Sequence, residues 1–465
     1  MKFISHLICF FLCLTVLAQP SSIDSIENFN QKLKERSSAL LKECVSFEEV
    51  VGISAGIYTE GEILWSDAAG YMDLENKKPA QVNMVHRIAS ISKPMTAIAI
   101  LQLMEQGLLS LDDPIQKFIP DFPIKKEGSI TIKHLLQHSS GIKAYKNDKE
   151  AFPTKNYSTL RKAVQVFEDR DLANVPGEGY QYTTYGYVVL GEIIEKASGL
   201  SYREYMRKNI WEKAGMINTD VEVFGKAYKN KSKLYTKNDK GKFVQDKSTN
   251  LSVKVPGGGI QSTVTDLLKF SEAVLENKLI SSKSRQIMIN NSGVKDRGNP
   301  YGLGWFLYAE KERPSGRIIG HSGSQSGTAT QLFIFLDKQA AVAVISNTGS
   351  AWNDVFALTD RLSDVLVRPE DVNKPIKKVT DISNKVLDNY VGKYKFESGN
   401  VIELTREDNA FYGEVAKGGK FRIYPESDTH FFLRGLNIQL EFDDSETKAH
   451  RFVFIQDGER HKAER

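Results

Sequence analysis

The chain reads as an α+β protein, an antiparallel sheet flanked by helices, with a small C-terminal β-barrel or sandwich after it. Three observations predict this. Strand-like runs stand at both ends of a helix-rich middle between about residues 50 and 350, the pattern of one sheet assembled from the two ends of a segment and backed by helices. A polar stretch at 369–380, containing Pro369 and Pro375, separates that body from a C-terminal region of different pattern. From 381 to 465, short alternating runs (YVGKYKF, NVIELTR, AFYGEV, FRIYP, THFFLR, IQLEF, HRFVFIQ) succeed one another at the spacing of a small barrel or sandwich. A length of 465 residues exceeds what one core usually fills and fits two domains.

Taken in order, residues 1–18 place Lys2 ahead of an apolar run from Leu7 to Ala18, with Val16 and Ala18 as a small-residue cleavage site. This predicts a secretory signal peptide, hence an exported protein, periplasmic or secreted. The run is about a dozen residues, short of the ~20 that span a bilayer, and no later segment reaches that length, so no stable membrane span is expected. The body, 19–368, opens with Ile26, Phe29, Leu33, Leu40 and Leu41 at helical spacing, an amphipathic helix. GISAGIYTEGEILWSDAAGYMD then reads as an antiparallel hairpin turning at Glu60-Gly61. From Ser90 a helix apolar on nearly all sides runs to Gly107, with Pro94 in its first turn, where proline is tolerated. Helical patterns come next at 132–137, 187–196, 265–276 and 282–288. Strands return in TATQLFIFL and AAVAVISN, joined by a turn at 337–339.

Charge and cysteine content narrow the function. Sixty-two Lys and Arg against 58 Asp and Glu give +4, or +3 once Lys2 leaves with the signal. The densest basic stretch, Lys226 to Lys247, holds eight lysines and no arginine, which reads as a solvated loop or hairpin and not as a nucleic-acid surface. Cys9 and Cys13 lie in the signal, so Cys44 alone remains, a small apolar residue on the first helix.

Chemistry concentrates at Ser90 and Lys93. Three residues apart at a helix start, their side chains share a face, and a desolvated lysine can accept the proton that makes a serine hydroxyl nucleophilic. The helix start also supplies free backbone N–H groups where an oxyanion would form. S-x-x-K occurs four times, at Ser90, Ser140, Ser292 and Ser445, and of these Ser90 opens a long apolar helix. Two other motifs are read as structural. Gly52 to Gly56 fits G-x-S-x-G but continues into a hairpin instead of strand, turn and helix. His134 and His138 have zinc-like spacing, yet Leu135 stands where a metalloprotease keeps glutamate. No metal or organic cofactor is called for.

RIASISKPMTA, with ITIKHLLQHSSGI, PGEGYQYTTYGYVVLGEIIEKASG, GGGIQSTVTDLLKF, YGLGW and GHSGSQSGTATQLFIFLDK in order, resembles the serine β-lactamase and penicillin-binding superfamily. The likeness is to its class C β-lactamase and D-alanyl-D-alanine carboxypeptidase branch. It implies a β-lactamase/transpeptidase-like fold with an all-α subdomain. It also implies roles: Ser90 as acylated nucleophile, Lys93 as proton acceptor, Tyr182 as proton shuttle, His321-Ser322-Gly323 as the strand beside the nucleophile, and the Ser90 and Ser324 N–H groups as oxyanion hole. Thr184 departs from the family's usual asparagine, a trait similar to the mitochondrial serine β-lactamase-like branch, which the glycine-rich and YTTYGY blocks also resemble. His321 departs from the lysine of the β-lactamases; near its reference pKa of ~6.5 it is mostly neutral and a weaker carboxylate anchor.

The expected activity is cleavage of an amide or ester through an acyl-enzyme, on a small-molecule or peptide substrate: a D-amino-acid peptide, an ester or a β-lactam. D-alanyl-D-alanine carboxypeptidase-like or β-lactamase-related hydrolysis leads. A carboxylesterase or dedicated β-lactamase is the enzymatic alternative, and a penicillin-binding sensor without turnover is the alternative of another class.

Overall fold

Helix α1, Ser22–Ser46, lays Leu33, Leu40, Leu41 and Cys44 against one face of a sheet, as the helical spacing of its apolar residues requires. The computed structural model describes residues 22–46, 49–247, 249–290, 295–296, 299–308, 316–374, 376–415, 419–433, 438–443, 447–456 and 458–465. The expected signal segment 1–18 and the S-x-x-K serines Ser292 and Ser445 lie outside the described residues. The hairpin forms where expected: β1 is Gly52–Thr59 and β2 is Glu62–Asp73, antiparallel, with Glu60 and Gly61 at positive φ in the turn. Ser54 of the G-x-S-x-G stretch therefore sits inside a buried strand.

Five further strands complete this sheet: β3 (Lys78–Pro79), β4 (Phe306–Tyr308), β5 (Ile318–Gln325), β6 (Thr328–Phe335) and β7 (Ala340–Ser346). Their order, β4-β5-β6-β7-β1-β2-β3, places the late strands next to the first hairpin, so both ends of the segment build one sheet. Every residue of β6 and β7 is buried, because both faces are covered; that is why β7 and the second half of β6 read as apolar runs without alternation, while Thr328, Thr330 and Gln331 are buried polar residues of the first half of β6. Helix α1 and a later amphipathic helix at Trp352–Val367 cover one face. The other face packs on a helical layer with α2 (Ser92–Glu105) at its heart, flanked by α3 (Thr184–Ser198) and α4 (Val264–Leu275). All residues of α2 from Ser92 to Leu103 are buried. Its large apolar side chains each contribute about 1.5–3 kcal/mol of burial, which anchors the helix start rigidly.

The late helix Trp352–Val367, here α5, is absent from the sequence reading; its buried Val355, Leu358, Leu362 and Val365 carry the i, i+3, i+4 signal that would have found it. Of the linker 369–380, Pro369–Asn373 forms a 3₁₀ turn with Asp371 buried, and Thr380 N–H already donates to the Pro425 carbonyl of the last domain at 2.9 Å. The basic stretch forms the expected hairpin, Tyr235–Lys237 with Phe243–Gln245, and several of its lysines are paired, Lys233 with Asp73 and Lys237 with Glu49.

The C-terminal domain is a closed eight-stranded barrel, not a sandwich. Seven strands, β8 to β14, match the seven runs: Gly392–Phe396, Val401–Glu407, Ala410–Val415, Gly419–Pro425, His430–Leu433, Ile438–Phe442 and Arg451–Gln456. The eighth, β15 (Glu459–Glu464), closes the barrel against β8 and β14. It reads ERHKAE with Ala463 its one buried residue, so it carries no hydrophobic alternation to detect. A cavity of about 1610 Å³ lies between the barrel and α5, lined by Trp352, Phe356, Phe421 and Arg422, none of them among the candidate site residues.

Candidate active site

The site begins where the chain enters α2. Ser90 lies in a 3₁₀ turn, Ala89–Ile91, immediately before the α-helix that starts at Ser92. The sequence pattern places it on the helix itself; Ala89 takes φ +46°, which breaks the helical path and winds the entrance more tightly. The i, i+3 proximity survives. Lys93 Nζ and Ser90 Oγ are 2.9 Å apart, with Ser90 half-buried and Lys93 fully buried.

The other contacts of Lys93 define its chemistry. Nζ lies 2.8 Å from the Gly257 carbonyl and 3.4 Å from Thr184 Oγ1. A neutral amine has two N–H donors and one lone pair; carbonyl and hydroxyl take the donors and leave the lone pair toward Ser90. Burial, with the Lys254 charge second, holds the Lys93 pKa well below its ordinary value, so the neutral form is favoured. Gly257 makes this approach possible: a Cβ there would lie 2.6 Å from Thr184 Cγ2. Nζ also stands 4.8 Å from the centroid of the Tyr182 ring and 5.6 Å from that of Tyr187.

Strand β5 brings His321, Ser322, Gly323 and Ser324 alongside. Gly323 pairs with Thr330, and a Cβ on it would lie 2.6 Å from the Ile88 carbonyl and 3.0 Å from Ala89 Cβ, so glycine lets the strand press against the turn holding Ser90. Ser324, one residue on, is exposed and pairs with Ala329. His321 is buried. Its Nδ1 lies 2.6 Å from the Ser322 carbonyl, which only accepts, so the proton sits on Nδ1; Nε2 then accepts from the Tyr301 hydroxyl at 3.1 Å. Burial, reinforced by Lys93, pushes its pKa down to about 3. The ring is thus neutral with both nitrogens engaged, a stronger form of the neutrality expected from sequence.

Ser90, Lys93, Tyr182, Thr184 and His321 are therefore brought together at one place, with Ser322, Gly323 and Ser324 on the adjoining strand. Sequence reasoning missed three neighbours. His138, read as a turn histidine, is fully buried and packs its ring on Tyr182 with centroids 4.2 Å apart; its Nδ1 accepts the Thr183 N–H at 3.2 Å. Tyr301, in the YGLGW block, holds His321. Lys254, just ahead of the glycine run, is a second buried lysine. His134, by contrast, caps its own helix through Thr131. Among the described residues no cluster could hold a metal ion.

A serine hydroxyl against a desolvated lysine, at the mouth of a buried helix beside an antiparallel sheet, defines a serine hydrolase. The beta-lactamase family model matches residues 38–365, and the chain belongs to that family. Penicillin-binding protein 4* of Bacillus subtilis (strain 168) is 31% identical over 432 residues, covering 87% of this chain and 93% of that protein. The mitochondrial serine beta-lactamase-like protein LACTB of Homo sapiens is 28% identical, covering 64% of this chain and 70% of that one. Among solved structures, the octameric penicillin-binding protein homologue from Pyrococcus abyssi superposes with a TM-score of 0.67 at 25% identity, over 92% of this chain and 99% of its own.

Proposed function

We propose that this chain is an exported serine hydrolase that cleaves amides or esters of D-amino-acid-type substrates through an acyl-enzyme. Ser90 Oγ attacks the carbonyl and its proton passes to the neutral Lys93. Tyr182 relays a proton to the leaving group, and the N–H groups of Ser90 and Ser324 hold the oxyanion. Water then attacks the acyl carbon, its proton returns through the same groups, and the ester bond to Ser90 breaks. Thr184 accepts one N–H of Lys93 and so fixes the direction of its lone pair. His321 acts as a neutral wall of the site.

The observation that carries this reading is the 2.9 Å approach of Lys93 Nζ to Ser90 Oγ, with the lysine wholly desolvated. Substrate class is supported by the penicillin-binding name of a relative, since penicillins engage sites that accept D-alanyl peptides, and by the neutral His321, which grips a carboxylate less than a lysine would. Slow or absent β-lactam turnover beside measurable peptide or ester cleavage is expected. The test is a panel of D-Ala-terminated peptides, D-aminoacyl amides, p-nitrophenyl esters and a chromogenic cephalosporin, with Ser90→Ala as control. Turnover of peptide or ester that Ser90→Ala abolishes supports the reading. Rapid cephalosporin hydrolysis would overturn the substrate assignment, and stoichiometric labelling by a fluorescent penicillin without turnover of anything would make the protein a sensor.

A further inference from the structure

Lys254 is the unexplained charge of this region. Its side chain is 5% exposed, yet among the described residues no carboxylate pairs with it. Its Nζ donates to the Ala151 carbonyl at 2.5 Å and stands 5.3 Å from the Tyr145 ring centroid and 5.5 Å from that of Phe152. A buried, unpaired ammonium is costly, and a fold that keeps one generally has a use for its field. Its place indicates which. Lys254 is three residues before Gly257, whose carbonyl receives the Lys93 N–H. Its Cδ lies 4.0 Å from where a Cβ of Gly258 would be, and Ala89 of the nucleophile turn is equally near that point.

We propose that Lys254 is a positioning residue that keeps Lys93 in its proton-accepting, neutral state, acting through its unscreened positive charge. This rests on Lys93 being the base for Ser90. The other titratable groups facing Lys93 are His138, His321, Tyr182 and Tyr187, and burial keeps both imidazoles uncharged and the Tyr187 phenol protonated. Lys254 in turn faces Tyr145 and feels Arg87, whose guanidinium is tied to Glu222. The cation that bears on Lys93 therefore comes from the glycine-rich segment, while strand β5 contributes an uncharged imidazole. Burial lowers Lys254 itself to about 8, so at neutral pH it remains largely charged, while burial and that charge together hold Lys93 well below its ordinary value.

The test is the pH dependence of kcat/KM for a p-nitrophenyl ester, which does not itself titrate, in the full chain. At an effective dielectric of about 20, a like charge roughly 10 Å from any titrating group shifts it by about one pH unit, which sets the scale expected for a neighbouring ammonium. Lys254→Met should therefore move the acidic limb up by about one unit, a roughly tenfold loss on that limb. The gap should close above about pH 9, where Lys254 of the parent has lost its proton. Lys254→Arg should restore the parent limb. Phe152→Ala, at a partly exposed position, admits water to Lys254 without removing it and should move the limb the same way by less, which keeps the proposal testable if Lys254→Met does not fold. A uniform loss at every pH, or an unmoved limb, would overturn it. Ser90→Ala separates the two claims: if turnover survives that change, the reading of the site fails; if turnover dies but the limb ignores Lys254, the present inference alone fails.

Discussion

Gly323→Ala tests whether the contact between β5 and the nucleophile turn is as tight as the site requires. An added Cβ would lie 2.4 Å from Thr330 Oγ1 and 2.6 Å from the Ile88 carbonyl oxygen, where unstrained contact needs about 3.5 Å. The Thr330 hydroxyl can rotate aside; the Ile88 carbonyl is backbone and cannot. Strand and turn must separate by close to 1 Å, and a misplacement of that size costs roughly 100-fold in rate when it falls between reacting groups. Overpacking of this kind destabilises by about 1–3 kcal/mol, which for a domain of this size lowers the melting temperature by only a few degrees. The expected signature is a split: acylation by an activated ester, measured by stopped-flow, falls about 100-fold, while the thermal midpoint barely moves. Thr330→Ala in the same background should not restore the rate, because the backbone clash persists. Acylation within threefold of the parent would refute the reasoning.

Lys93→Met removes the proton acceptor and a desolvated amine together, so acylation should drop by about 10²–10⁴-fold while thermal stability holds or rises, measured by ester turnover and calorimetry. Tyr301→Phe deletes the hydroxyl that donates to His321 Nε2 and strands a buried acceptor; a loss of about 1–3 kcal/mol in urea unfolding is expected, and an unchanged midpoint would count against the assigned tautomer. Buried neutral histidines also set an acid limit. His86 and His321 are both depressed by burial to about 3, below the unfolded value of ~6.5, so the unfolded chain binds protons first and the stability they contribute is full above pH ~6.5. It should decline by about 1.4 kcal/mol per pH unit for each between there and pH 3; a denaturation midpoint that stays flat from pH 7 to 4.5 would contradict this.

How much of the fold and site is legible in the sequence depends on whether a feature is local. The Ser90 and Lys93 pair can be read because three-residue spacing at a helix start forces proximity whatever surrounds it. The hairpin at β1 and β2, the buried α2 and the barrel runs each carry their own periodicity. His138, Tyr301 and Lys254 carry none. They come from segments far apart in sequence, and tertiary packing alone brings them to the site; the blocks around His138 and Tyr301 carry the family likeness but do not say what either side chain touches. Strand β15 escapes for the opposite reason: its pairing is made by backbone, and its side chains, apart from Ala463, face water. Helix α5 is a different case, because its apolar spacing is present in the sequence but stands among strand-rich neighbours that mask it.

The surroundings of Lys93 also explain why a lysine can serve in a step that is usually left to a group titrating near neutrality. Its polar neighbours are a carbonyl, a hydroxyl, phenols and imidazoles that burial keeps uncharged. A carboxylate in that shell would favour the ammonium and trap the proton taken from Ser90. Among the described residues none stands there, so the ammonium formed on acylation is unstable where it sits, supported by the Gly257 carbonyl, the Thr184 hydroxyl and the faces of the Tyr182 and Tyr187 rings but by no counter-charge. The proton is thus held weakly after transfer and can be released to the leaving group. Low basicity before attack and ready donation after it are two consequences of the same desolvation, so a change that makes Lys93 more comfortable as a cation should slow both halves of the reaction together.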